Sequence, residues 1–190
     1  MPKIPWSDVT ESRGGGVSTL PSGAYKCQIT KAEFVTTKKG AAALVVVWDV
    51  AEGEHKGHFS GAFFEGKDFR HNDYLMLEGR ALGMTKHKLH ALADANPGFK
   101  PTAAIDADQA QPFVGKICYL LLQERKYTYN GRDQSEVNVV DWLSPEEFRA
   151  GDFKVPDTID EREASPSPSP APVAAPPAPS IELADEDLPF

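Results

Sequence analysis

The sequence predicts a mainly β protein: a small five-stranded barrel with a helical segment between the third and fourth strands, then a tail that has no core. Three observations lead there. Apolar residues alternate with polar ones, or run in short β-branched blocks, in five separate stretches. The spacing lengthens to a helical one in a long run only between Asp73 and Ala95. After Pro156 the apolar pattern stops.

The 190 residues suffice for one domain with some chain left over. Residues 1–22, punctuated by Pro2, Pro5, Gly14-Gly15-Gly16 and Pro21, read as a flexible arm. The domain proper is expected over 23–156. Its first strand begins at Gly23, where Tyr25, Cys27 and Ile29 alternate with Lys26, Gln28 and Thr30, and it runs towards Phe34-Val35. Thr36–Gly40 is a turn carrying Lys38 and Lys39. Ala43–Val50 is a second, more buried strand with Trp48 among valines. A third strand is expected over His58–Phe64, rich in aromatic residues and glycine.

Leu77, Ala81, Met84, Leu89, Leu92 and Ala93 then fit helical spacing, and Asn96-Pro97-Gly98 stops the helix. A loop with Pro101 and Pro112 leads to a fourth strand over Lys116–Lys126. Asn130-Gly131 is a strong hairpin signal, and Glu136–Trp142 is the returning strand. Ser144-Pro145-Glu146-Glu147 is a capping box with proline at the first helical position. Three strands, a helix and a two-stranded hairpin are the element order of the OB-fold, a Greek-key barrel. A small α+β sandwich has the same elements.

Charge divides the chain the same way. The formal net charge is −8. Residues 157–190 hold eight carboxylates and one base, so the first 156 residues carry 19 positive and 20 negative side chains. The acidity belongs to the tail, and a near-neutral body is compatible with a nucleic-acid partner. Residues 157–180 read as a disordered linker, with alternating Ser-Pro over 165–170 and seven of the sixteen prolines between 164 and 180. Residues 181–190 form an acidic tip, in which Asp185, Glu186 and Asp187 precede Leu188, Pro189 and Phe190. A terminal aromatic ring with its own carboxylate, behind a stiff proline and three acids, has the chemistry of a peptide ligand for an apolar pocket beside basic side chains.

Composition excludes several classes. No stretch approaches the roughly 20 apolar residues of a membrane span, and Met1–Trp6 lacks the apolar core of a signal peptide. A cytoplasmic protein is expected, without membrane association. The two cysteines, Cys27 and Cys118, lie in strand-like apolar settings with no C-x-x-C and read as buried small hydrophobes. His55-x-x-His58 and His87-x-x-His90 lack a third ligand, so no metal or other cofactor is expected. No nucleotide-binding loop or nucleophile elbow is present, and catalysis is not expected. Asp49, Glu65, Asp68 and Asp73 are the one carboxylate group a nuclease could use with Mg²⁺.

Sequence-tolerant binding of single strands needs cations along the phosphates and aromatic faces for the bases. In an OB-fold these lie on strands two and three and on the loops joining strands one–two and four–five. The candidates are Lys38 and Lys39 on the first loop; Trp48, Phe59, Phe63 and Phe64 on the strands; Lys67 and Arg70 just beyond; and Tyr127, Tyr129 and Arg132 at the hairpin. Phe69, His71 and Tyr74 lie in the same stretch. Trp48 among valines is equally a core residue, and of Phe63 and Phe64 one must face inward.

Asp185-Glu186-Asp187-Leu188-Pro189-Phe190 resembles the C-terminal tip of bacterial single-stranded DNA-binding proteins, in which an OB-fold core is followed by a proline- or glycine-rich linker and an acidic tip ending in Pro-Phe. Over 20–156 the body is similar, more loosely, to a phage-encoded group of such proteins, at Leu20–Tyr25, Ala51–Gly57 and Gly151–Pro156. The resemblance implies a protein that coats single-stranded DNA without sequence specificity during replication, recombination and repair. It also implies that the tip recruits proteins of those processes, that the chain is able to form a homo-oligomer, and that a phage-encoded copy works in the bacterial host cytoplasm. A Mg²⁺-dependent DNA-processing enzyme and a protein-binding adaptor are the alternatives.

Overall fold

The computed structural model describes residues 20–162. The arm residues before Leu20, the Ser/Pro/Ala-rich stretch beyond Arg162 and the tip Asp185–Phe190 lie outside them.

The protein is mainly β. Among the described residues six strands, β1 (Gly23–Thr36), β2 (Ala42–Val50), β3 (Asn72–Met76), β4 (Ile117–Tyr129), β5 (Arg132–Leu143) and β6 (Ile159–Asp160), form one sheet. Its order is β3-β2-β1-β4-β5, all antiparallel, with β6 added in parallel beside β4. Among the described residues three α-helices complete it: α1 (Leu82–Ala95) and α2 (Pro101–Asp106), both between β3 and β4, and α3 (Pro145–Ala150) after β5.

β1 is long enough to serve two neighbours. Gly23–Gln28 pairs with β4, and Cys27–Thr36 pairs with β2. A bulge at Thr30 re-aims the strand between the two ladders, and the Thr30 hydroxyl donates to the Val47 carbonyl. A second irregularity lets Val140 stand out of the β4–β5 ladder. Asn130 and Gly131 both have positive φ, 51° and 70°, as a two-residue hairpin turn requires.

The expected barrel is not closed. No backbone ladder joins β3 to β5 among the described residues. β3 is only five residues long, and its free edge meets β5 through side chains instead. Trp142 Nε1 donates to Asp73 at 2.7 Å, and Lys88 on α1 pairs with the same carboxylate at 2.6 Å. α1 packs against β3, β4 and β5 with Leu89, Ala91 and Leu92 buried. At its end Asn96 exchanges hydrogen bonds with the backbone of Ile117, fixing the entry to β4. The core is filled by Leu20, Ile29, Leu44, Val46, Trp48, Leu75, Phe113, Leu120, Leu122 and Trp142.

The third strand falls elsewhere than the expected His58–Phe64. That stretch makes single turns of 3-10 helix, at His58–Ser60, Ala62–Phe64 and Asp68–Arg70. Gly57 and Gly66 sit at φ 68° and 70°, a left-handed backbone that interrupts an extended strand. Hydrogen bonds three residues back recur through this stretch, as from Phe64 N to Gly61 O at 2.9 Å and Arg70 N to Lys67 O at 2.9 Å. The edge of β2 goes instead to Asn72–Met76. The proline loop at Pro101 opens α2, proline being suited to a first helical turn. The capping box at Ser144 forms as expected: its hydroxyl accepts from Glu147 N, and Glu147 accepts from Ser144 N. Among the described residues no helix is long and apolar enough to cross a membrane.

Candidate functional site

The segment between β2 and β3 is an arm whose root is buried and whose outer surface carries rings and cations. Asp49, itself buried, holds the root by accepting from Phe59 N at 3.0 Å and from the Ser60 hydroxyl. Phe59 lies edge-on to Trp48 with centroids 5.3 Å apart, stacks on His71 at 4.6 Å and meets Phe64 at 4.9 Å. Trp48, Phe59, Phe64 and His71 are therefore interior. Burial holds the His58 and His71 imidazoles below the ordinary histidine value; the neighbouring His55 adds to the shift at His58.

The outer side differs. Phe63 is 44% exposed, with the Lys67 ammonium 3.7 Å from its ring centre. Phe69 is 66% exposed, with the Arg70 guanidinium 5.7 Å away. Tyr74, on β3 opposite Val45, is half exposed. Lys31 on β1 pairs with Asp68 at 3.2 Å and tacks the arm across the sheet.

The hairpin supplies the second surface. Arg125, Tyr127 and Tyr129 share parity on β4, so they stand on one face, and Arg132 is directly opposite Tyr129. Tyr129 is 64% exposed and Tyr127 half buried, with the Arg125 guanidinium 5.5 Å from the Tyr127 ring. The other face, through Val137, joins the core. Arm and hairpin meet where Arg70 Nη1 donates to the Ser135 carbonyl at 3.2 Å.

Lys38 and Lys39 are exposed but stand apart from this meeting point. Their turn is self-contained, closed by Gly40 N on Thr37 O and Ala41 N on the Thr37 hydroxyl. It lies at the Ala42 end of β2, whereas the arm leaves at Val50, about 27 Å along an extended strand. Among the described residues Lys38, Lys39, Lys67, Arg70 and Arg132 make no ion pair. Arg125 was missed by the sequence reading. The signal was its spacing, Arg125-x-Tyr127-x-Tyr129, which puts cation and rings on one side of a strand.

The four carboxylates considered for a nuclease lead separate lives. Asp49 roots the arm, Asp68 pairs with Lys31, Asp73 holds Lys88 and Trp142, and Glu65 is exposed. Among the described residues no three His, Cys, Asp or Glu side chains gather as a metal-holding group. Cys27 and Cys118 face each other across β1 and β4 as buried free thiols, and burial pushes both thiols up.

No protein-family model matches the chain, and no curated protein sequence is similar to it.

Proposed function

We propose that the protein binds single-stranded DNA without sequence specificity, through the outer surface of the arm and the exposed face of the β4–β5 hairpin. One observation carries the reading. Rings and cations occur there as neighbours, Phe63 with Lys67, Phe69 with Arg70 and Tyr127 with Arg125, on two segments joined by the Arg70–Ser135 contact. A ring offers a stacking face to any base, and a cation beside it meets the adjoining phosphate, so affinity does not depend on sequence.

The strand order and the helices between β3 and β4 support reading the sheet as an OB-fold barrel whose last seam is made by side chains. In this reading the chain belongs with the single-stranded DNA-binding proteins. It coats strands during replication, recombination and repair, while Asp185–Phe190 recruits the proteins of those processes. The protein is not an enzyme in this reading and needs no cofactor.

The test is a titration of a fluorescent oligo-dT with the full chain at several salt concentrations, with Mg²⁺ present in a parallel series. Binding that weakens linearly on a log–log salt plot, with the oligonucleotide intact, is the expected result. Cleavage in the Mg²⁺ series would turn the reading to a nuclease, and no binding at any salt would turn it to a protein-binding adaptor.

A further inference from the structure

Residues 157–162 carry no apolar pattern, yet they are held on the sheet. The Gln123 amide donates to the Asp157 carbonyl at 2.9 Å, Ile159–Asp160 pairs as β6 beside Arg125–Lys126, and Glu161 N donates to the Lys126 carbonyl at 2.8 Å. This backbone path delivers one carboxylate to one guanidinium. Arg125 Nε and Nη2 donate to the two Glu161 oxygens at 3.0 and 2.9 Å, a two-pronged pair. The third edge of the guanidinium, Nη1, donates to Glu136 at 2.9 Å.

We propose that Arg125 is a phosphodiester-binding residue and that Glu161 is the placeholder for the phosphate. The inference rests on the single-stranded DNA reading above and names a ligand contact and a competitor within that site. A phosphate oxygen pair takes the same fork geometry as a carboxylate. Arg125 shares its strand face with Tyr127 and Tyr129, so a phosphate at the guanidinium places its neighbouring bases beside those rings. Glu136 stays behind to aim the guanidinium when Glu161 leaves. The exchange is easy because the pair is part-exposed, with side chains 38% and 45% accessible, and water and salt already weaken such pairs. β6 is two residues long, so its hold on the edge of β4 is short. DNA binding then releases residues 157–162 from the sheet.

The experiment is a double-mutant cycle on the full chain, read by oligo-dT anisotropy at low salt. Glu161→Gln is expected to tighten binding about three- to tenfold by freeing Arg125. Arg125→Gln is expected to weaken it about tenfold and to lower the salt slope by roughly 0.7, one phosphate on a single strand. In the Arg125→Gln background Glu161→Gln should give no gain beyond that of Glu146→Gln, an exposed acid on α3 used as the control for net charge. Hydrogen exchange of residues 157–162 should speed up when the wild-type protein is saturated with oligo-dT. An undiminished Glu161→Gln gain without Arg125, an unaltered Arg125→Gln affinity, or unchanged exchange in the saturated complex each overturns the proposal while DNA binding stands. A wild-type protein that does not bind oligo-dT removes the underlying reading instead.

Discussion

The arm between β2 and β3 carries two sets of aromatic residues with opposite fates. Phe59 and Phe64 turn in against Trp48 and His71, whereas Phe63 and Phe69 turn out beside Lys67 and Arg70. The two sets are interleaved in sequence, and composition does not separate them. What separates them is the 3-10 turn: adjacent residues there point about 120° apart, so Phe63 and Phe64 part company at a single step. The inner set packs the arm onto Trp48 and His71, and the outer set stands on the side away from that contact.

The sharpest way to break this distinction is Phe59→Ala. Removing a buried ring packed on four others is expected to cost about 3–5 kcal/mol of stability. Urea or thermal unfolding would measure it, and a loss below about 1 kcal/mol would mean that the inner set is not an anchor. The outer set should respond inversely. Phe69→Ala and Tyr129→Ala are each expected to leave stability within about 0.5 kcal/mol and to weaken oligo-dT binding by about 1–3 kcal/mol. An unfolded Phe69→Ala protein, or one with intact affinity, would merge the two sets.

Acid should act on the inner set first. His58 and His71 have an ordinary value of 6.5, and burial depresses both in the fold. The unfolded chain therefore takes up protons before the folded one, so the stability they contribute is whole above pH 6.5 and is lost as pH falls through the folded values. The charged neighbours Asp49 and Asp68 moderate the loss, and His55 adds to it at His58. The melting temperature should fall between pH 8 and pH 5 by more in the wild type than in His71→Gln; equal slopes would show that His71 does not carry the effect. The smallest effect is expected far from the arm. Lys38→Gln and Lys39→Gln should each lower the salt slope by at most about 0.7 and leave stability unchanged, because their turn closes on its own backbone. A larger drop would extend the interface to the Ala42 end of β2.

Much of this was legible beforehand, for reasons particular to each element. β1 and β2 announce themselves by alternation and by a valine block, the hairpin by Asn130-Gly131, and α3 by its capping box. The third strand was misplaced because the aromatic density of His58–Phe64 resembles a strand, whereas the true one, Asn72–Met76, has only Tyr74, Leu75 and Met76 to show. Glycine spacing at 57, 61 and 66 was the countersignal. Arg125 is not marked by the hairpin loop because it lies on β4, one residue before Lys126. The grip of residues 157–162 was invisible because it is made of backbone pairing, side-chain hydrogen bonds and ion pairs rather than apolar burial.

By itself the sequence determined the local rules: where strands alternate, where a helix is capped, where the chain must turn, and where apolar residues give out. These follow from contacts within a few residues, which the sequence states directly. Only the tertiary structure decided which rings stand in water, that β3 and β5 meet through Trp142 and Asp73 rather than through a ladder, and that Glu161 meets Arg125. Those outcomes depend on contacts 36 to 69 positions apart, and no pattern read along the chain specifies which distant side chain will arrive.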